Sequence, residues 1–147
     1  MTTSELRRLV FGDEVGEGTV KSTVSRLRQL VPVSPSPYRI AVPFECDFKR
    51  VLALLASGRV HQALQHYAGP LLPESEAPGV VELRLHLEEC VRRAVIGTGD
   101  PDLLIQLATS VGDDLELWEE ARASLSAGDY RLPLVNARIR RLKDAWR

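Results

Sequence analysis

Gly18-Thr-Val-Lys-Ser-Thr-Val-Ser-Arg-Leu-Arg-Gln-Leu-Val31 is the stretch on which the rest of the chain turns. Val20, Val24, Leu27 and Val31 recur at i, i+4, i+7 and i+11, which lines them up along one stripe of a helix. The opposite face carries Ser22, Ser25, Arg26 and Gln29, with Lys21 and Arg28 at its flanks. The pattern predicts a helix over 19–31, with Thr19 as N-cap because its hydroxyl can accept from an amide of the first turn. Pro32 ends it, since proline restricts the residue before it and brings no amide of its own. No acid falls within this span, so Lys21, Arg26 and Arg28 give it a charge of +3. Such a helix can anchor one side in a core and lay the other on an anionic polymer. The plainer alternative is an amphipathic helix with a solvated basic face.

Charge elsewhere follows the same division. The net charge is −1. Residues 1–42 carry six basic groups against four acids, or +2, which leaves −3 for the remainder. A nucleic-acid partner would therefore meet the N-terminal part. No apolar run reaches membrane-span length, and Arg7 and Arg8 interrupt the only apolar run near the N-terminus, so no signal-peptide pattern is present. Cys46 and Cys90 match no ligand spacing and suit a reducing cytosol as small hydrophobes. A cytoplasmic protein without a membrane partner is expected.

Before the key helix, Ser4–Phe11 reads as a short helix. Ser4 would be its cap, Leu6, Leu9 and Val10 its apolar face, and Gly12 its end. The loop from Gly12 to Gly18 holds Asp13, Glu14 and Glu17; those acids would repel phosphate, and the lysine of a phosphate-cradling loop is missing. After the helix, Pro32–Pro37 reads as a stiff turn. Tyr38–Val42 alternates as a short strand, with Tyr38, Ile40 and Val42 on one side.

From Asp47 onward every signal is helical. Asp47 would cap a helix over 48–56 that Gly58 stops, and a second short helix covers 60–67, the two forming an antiparallel hairpin. A proline-rich connector from Gly69 to Gly79 leads to a long helix over 80–96 with Leu83, Leu87, Val91 and Val95 buried. Asp100 caps the next helix with Pro101 at its first position, and Leu103, Leu104, Leu107 and Val111 fill its face. Asp113 or Asp114 caps a helix over 115–125. A last helix over 132–146 ends in Arg138, Arg140, Arg141, Lys143 and Arg147, which suit the negative end of a helix dipole.

Two family resemblances sit on these residues. T-V-K-S-T-V-S-R-L-R-Q-L followed by P-Y-R-I resembles the recognition helix and wing of OmpR-type winged helix-turn-helix regulators. L-L-A-S-G-R-V-H-Q-A-L-Q-H-Y-A-G-P-L-L-P resembles the start of the bacterial transcriptional activator domain, a tetratricopeptide-like helical array. The wider pattern through A-P-G-V-V-E-L-R, G-D-P-D-L-L and D-D-L-E-L-W-E is similar to the C-terminal part of actinobacterial regulators. The resemblance implies a mainly α fold: a partial winged helix-turn-helix over 1–43, with recognition helix 19–31 and wing 32–43, then a helical activator or interaction domain over 44–147. The OmpR family has a further helix before its positioning helix, and this chain begins almost at the positioning helix. A piece of a longer protein, a mis-started reading frame and a reduced protein are the three expectations that fit.

The function implied is DNA-binding transcriptional regulation. Lys21, Ser22, Ser25, Arg26, Arg28, Gln29 and Arg39 would meet duplex DNA, with Arg26 reading a base and Lys21, Arg28 and Arg39 meeting phosphates. The helical domain would hold a dimer or protein partner. The alternative is a helical protein–protein interaction module whose degenerate winged helix reads no DNA. An enzyme is not expected. His61, His66 and His86 form no metal-binding pattern, and no nucleophile elbow is present. No catalytic residue, metal or cofactor is assigned.

Overall fold

The computed structural model describes residues 1–12, 14–35 and 37–145. Asp13 of the acidic loop, Ser36 of the proline turn, and Trp146 and Arg147 at the end of the predicted last helix lie outside the described residues. The described chain is mainly helical, with eight helices and one two-stranded sheet. It divides into two compact units, one of residues 1–46 with 70–86, the other of 47–69 with 87–147.

In the first unit, α1 spans Thr3–Phe11 and packs on α2, Glu17–Leu27. A capping box starts α1. The Thr2 hydroxyl accepts from the Glu5 amide at 3.2 Å, and the Glu5 carboxylate accepts from the Thr2 amide at 2.7 Å. That backbone bond from Thr2 is the main cause holding the Glu5 carboxyl below its usual range. Ser4 is therefore the second helical residue and not the cap. Val10 is exposed, and α1 buries no residue fully.

Helix α2 begins two residues earlier than predicted, with Gly16 at the N-cap and Thr19 as its third residue. Glu17 enters the first turn, where a carboxylate favours the positive end of the dipole. With Glu17 counted against its three cations, the helix and its following turn carry +2. Regular helix stops at Leu27, because the chain tightens there. Gln29 N–H donates to Arg26 and Leu30 N–H to Leu27, both three residues back, the usual narrowing of a helix end. Leu27 itself is exposed, so Val20 and Val24 alone form the fully buried anchor.

An antiparallel hairpin follows: β1, Val33–Ser34, pairs with β2, Arg39–Ile40, Val33 opposite Ile40 and Ser34 opposite Arg39. The proline turn thus contains a strand of its own, and the second strand is shorter than the alternation over 38–42 implied. Ile40 and Val42 are exposed and do not form a buried face. Tyr38 fastens the hairpin to the start of the chain. Its N–H donates to the Met1 carbonyl at 2.8 Å, and its hydroxyl lies 3.4 Å from that of Thr3.

The connector ahead of α5, Pro78–Thr98, is held by Arg84. The Arg84 guanidinium donates to the carbonyls of Leu71 at 2.7 Å, Leu72 at 2.5 Å and Ser75 at 2.7 Å. Leu72 sits at φ +43°, a left-handed conformation that costs a residue with a side chain energy. Gly79, in the first turn of α5, lies so close to α1 that a Cβ there would come within 3.0 Å of the Leu9 side chain and carbonyl.

The second unit opens with α3, Asp47–Ala56, and α4, Val60–His66, joined through Gly58 at φ +72° and packed on each other. Val51, Leu54, Ala63 and Leu64 are buried. From α5 this unit takes the stripe Leu87, Val91 and Val95; Leu83, expected with them, is half-buried. Helix α6, Pro101–Val111, is capped by Asp100, whose carboxylate accepts from the Asp102 amide at 2.9 Å. Its buried residues are Leu103, Leu104, Leu107 and Ala108, while Val111, the last residue of the helix, is exposed. Asp114 caps α7, Leu115–Ser124, accepting from Leu117 N–H at 3.1 Å, and also takes the Arg92 guanidinium at 2.9 Å. Both Leu117 and Trp118 are buried. Helix α8, Leu132–Ala145, packs on α7 through Val135, Ile139 and Leu142. At its entry the Arg131 guanidinium, paired with Asp129 at 2.7 Å, holds that carboxyl down at about 2.

Tyr67, just after α4, has a buried hydroxyl with no hydrogen-bond partner among the described residues. Burial, helped by the Glu88 charge, pushes its phenol up to about 12. The fold favours the neutral form, whereas the unfolded chain ionises from about 10. Stability is therefore fully present below pH about 10 and is lost as pH rises toward about 12. Tyr67→Phe is expected to raise stability by about 1 kcal/mol at neutral pH, by removing an unpaired buried hydroxyl. It should also flatten the loss in that alkaline window. Urea unfolding at about pH 8 and about pH 11 checks both; a Phe variant weaker than wild type at the lower pH would contradict the assignment.

Candidate nucleic-acid interface

The residues singled out in the sequence gather in the first unit. Lys21, Ser22, Ser25, Arg26, Arg28, Gln29 and Arg39 are all exposed. Helical spacing brings Ser22, Ser25 and Arg26 to the side of α2 away from Val20 and Val24, which are 0% and 4% exposed, and puts Lys21 at its flank. Gln29 continues that side in the closing turn. The Ser22 hydroxyl donates to the Thr19 carbonyl at 2.9 Å, which leaves its oxygen to accept. Lys21, Arg26 and Arg39 make no ion pair among the described residues. Their cationic heads are free to face a ligand.

Arg28 stands apart from this set. Its Nε donates to the Val33 carbonyl at 3.1 Å, and its guanidinium lies 6.0 Å from the Tyr38 ring centroid. The residue clasps the hairpin to the end of α2 through its Nε, and its exposed terminal N–H groups stay available to a phosphate. Tyr38, which the sequence reading treated only as a strand residue, is the hub of that clasp. The one sequence signal for it was the pairing of a cation and an aromatic ten residues apart across a proline turn, which is weak.

Elsewhere the chemistry is sparse. Among the described residues no group of three or more His, Cys, Asp or Glu side chains could hold a metal ion. His61 and His66 lie on α4, and His61 faces Gln65 at 3.2 Å. Neither cysteine forms a disulfide, and both are half-buried. No described helix is long and apolar enough to cross a membrane.

Comparison with known proteins places similarity in both units. The family model for the YTH3-like protein, third C-terminal helical domain, matches residues 100–147, the segment that holds α6 to α8. An uncharacterized 47.3 kDa protein in the thcA 5′ region of Rhodococcus erythropolis is 35% identical over 147 residues, covering 95% of this chain. The chain spans about a third of that relative's length, 33%. No solved structure matches it.

Proposed function

We propose that this chain is a DNA-binding transcriptional regulator, or the C-terminal piece of one, that lays α2 in the major groove. The observation that carries this is the two-sided α2: a buried Val20–Val24 anchor against an exposed side of Ser22, Ser25, Arg26 and Gln29, flanked by Lys21. Support comes also from the element order, helix, helix and two-stranded hairpin, which is that of a winged helix-turn-helix. In this assignment residues 1–43 form the partial DNA-reading part. Residues 44–147 form a tetratricopeptide-like helical domain that holds a dimer or protein partner. Two cysteines outside any disulfide agree with a cytoplasmic location. The chain acts without catalytic residues or a cofactor.

Arg26 is the central contact, because its guanidinium can fork onto a guanine edge in a way that lysine cannot. With Arg26 on a base, Lys21, Arg39 and the terminal N–H groups of Arg28 leave three cations for phosphates, and the slope of log K against log salt should be near −2.7. Arg26→Ala should cost about 1–3 kcal/mol and relax sequence preference. Arg39→Ala should weaken all duplexes alike and flatten the slope by about one. Anisotropy titrations on a panel of duplexes separate the two; equal losses for both variants on every sequence would refute a base-reading Arg26.

A second reading has its own observation. Leu27, Leu30, Ile40 and Phe44 are exposed at 41%, 83%, 46% and 54%, all near the hairpin. Apolar exposure of this kind marks protein contact more than DNA contact. It supports the alternative of an interaction module with a degenerate winged helix.

A further inference from the structure

The turn at Gly58 folds α4 back along α3 and leaves a groove of about 460 Å³ between them. Arg50, Ala53 and Leu54 line it from α3, and Gln62, Gln65 and His66 from α4. The helical spacing of each set puts it on one side of its helix. Arg59 closes the end from the turn itself. No carboxylate lines this space. Arg50 and Arg59 form no ion pair among the described residues. The Arg59 Nε donates to the Ser57 hydroxyl at 3.0 Å, which fixes the plane of the guanidinium and leaves its terminal N–H groups for a ligand.

We propose that the α3–α4 groove binds a small organic molecule through its phosphate monoester group. Two guanidinium forks match phosphate oxygens in a bidentate way, and they favour a dianion over a single carboxylate. The His66 ring adds a further N–H donor at the α4 side. The Gln62 and Gln65 amides supply donors and acceptors for hydroxyls of the organic part, and Ala53 and Leu54 give it a small apolar floor. The volume falls in the range of small-ligand sites. The lining has no large aromatic or aliphatic pocket of the kind that anchors a protein partner. This site is independent of the α2 assignment, since none of its residues belongs to α2 or the hairpin.

The test is a ¹⁵N NMR titration of the full chain with ribose 5-phosphate and, separately, with inorganic phosphate. Ribose 5-phosphate should saturate, with shifts concentrated in the side-chain amides of Gln62 and Gln65. Inorganic phosphate should bind about ten-fold more weakly, because it forgoes the organic contacts. Arg59→Gln should weaken ribose 5-phosphate binding by about ten-fold or more. Arg138→Gln, on α8, should leave it unchanged and serves as the control for nonspecific charge. Three results would overturn the proposal: absence of saturation, an unchanged isotherm for Arg59→Gln, or equal affinity for inorganic phosphate. Displacement of the sugar phosphate by a short duplex would also overturn it, by making the groove part of a nucleic-acid surface.

Discussion

Leu104→Ala is expected to destabilise the second unit by about 3–5 kcal/mol. Leu104 is 0% exposed and lies on α6, which packs against both α4 and α7. Its neighbours Leu103, Leu107 and Ala108 are buried with it, at 5%, 1% and 0%. A side chain fixed from two sides leaves a cavity that its surroundings cannot easily refill, so the cavity cost adds to the lost transfer energy. Denaturant unfolding followed by the fluorescence of Trp118, which is 2% exposed in the same unit, reports the loss directly. The midpoint should fall at constant slope. Leu85→Ala, at a position 60% exposed, should shift stability by under about 0.5 kcal/mol. Similar costs at the two positions would mean that α6 does not occupy the core.

The second large effect is at Arg84. Arg84→Met keeps most of the aliphatic stem but removes charged donors from the carbonyls of Leu71, Leu72 and Ser75. Hydrogen bonds from a charged donor are worth more than neutral ones, and half-buried carbonyls are left partly unsatisfied. Exposed Leu72 can rehydrate, which reduces the total, so the expected loss is about 2–3 kcal/mol. The loss should be local. Leu72 at φ +43° is free to relax once its carbonyl is released. Hydrogen exchange should therefore speed up at Ser75, whose amide donates to Leu72 at 2.9 Å, and at Val80, whose amide donates to Ala77 at 2.8 Å. Unchanged exchange at these amides would show that the connector holds its shape without Arg84.

What the sequence showed well was local. Asp100 with Pro101, Asp114, and the glycine stop at Gly58 are caps and turns whose partners lie within four residues. The stripe Leu87–Val91–Val95 follows from helical period alone. The capping box was equally legible as Thr2-Thr3-Ser4-Glu5, yet Ser4 looked the better cap because it stands next to the apolar run. Gly18 misled in the same way: a glycine usually ends a helix, but here it lies one residue inside α2 and lets Glu17 into the first turn. Arg84 and Tyr38 could not be read at all. Arg84 reaches back 9 to 13 residues and Tyr38 pairs with a residue 37 earlier, and no period connects such positions. The exposed side of α2 was legible from its spacing. Arg28 was not, because only the folded hairpin turns a surface cation into a clasp.

The most direct test of the α2 assignment is the affinity of wild type and Arg26→Glu for duplex DNA at about 50 and about 200 mM salt. Wild type should bind with a slope near −2.7, and Arg26→Glu should lose both the base contact and a phosphate neighbour, weakening binding by more than about ten-fold with a flatter slope. Arg26→Glu lies on the exposed side, and its unfolding midpoint should match that of wild type. Equal binding by the two proteins, or no binding by wild type at either salt, would contradict the account and leave α2 as a structural helix of an interaction module.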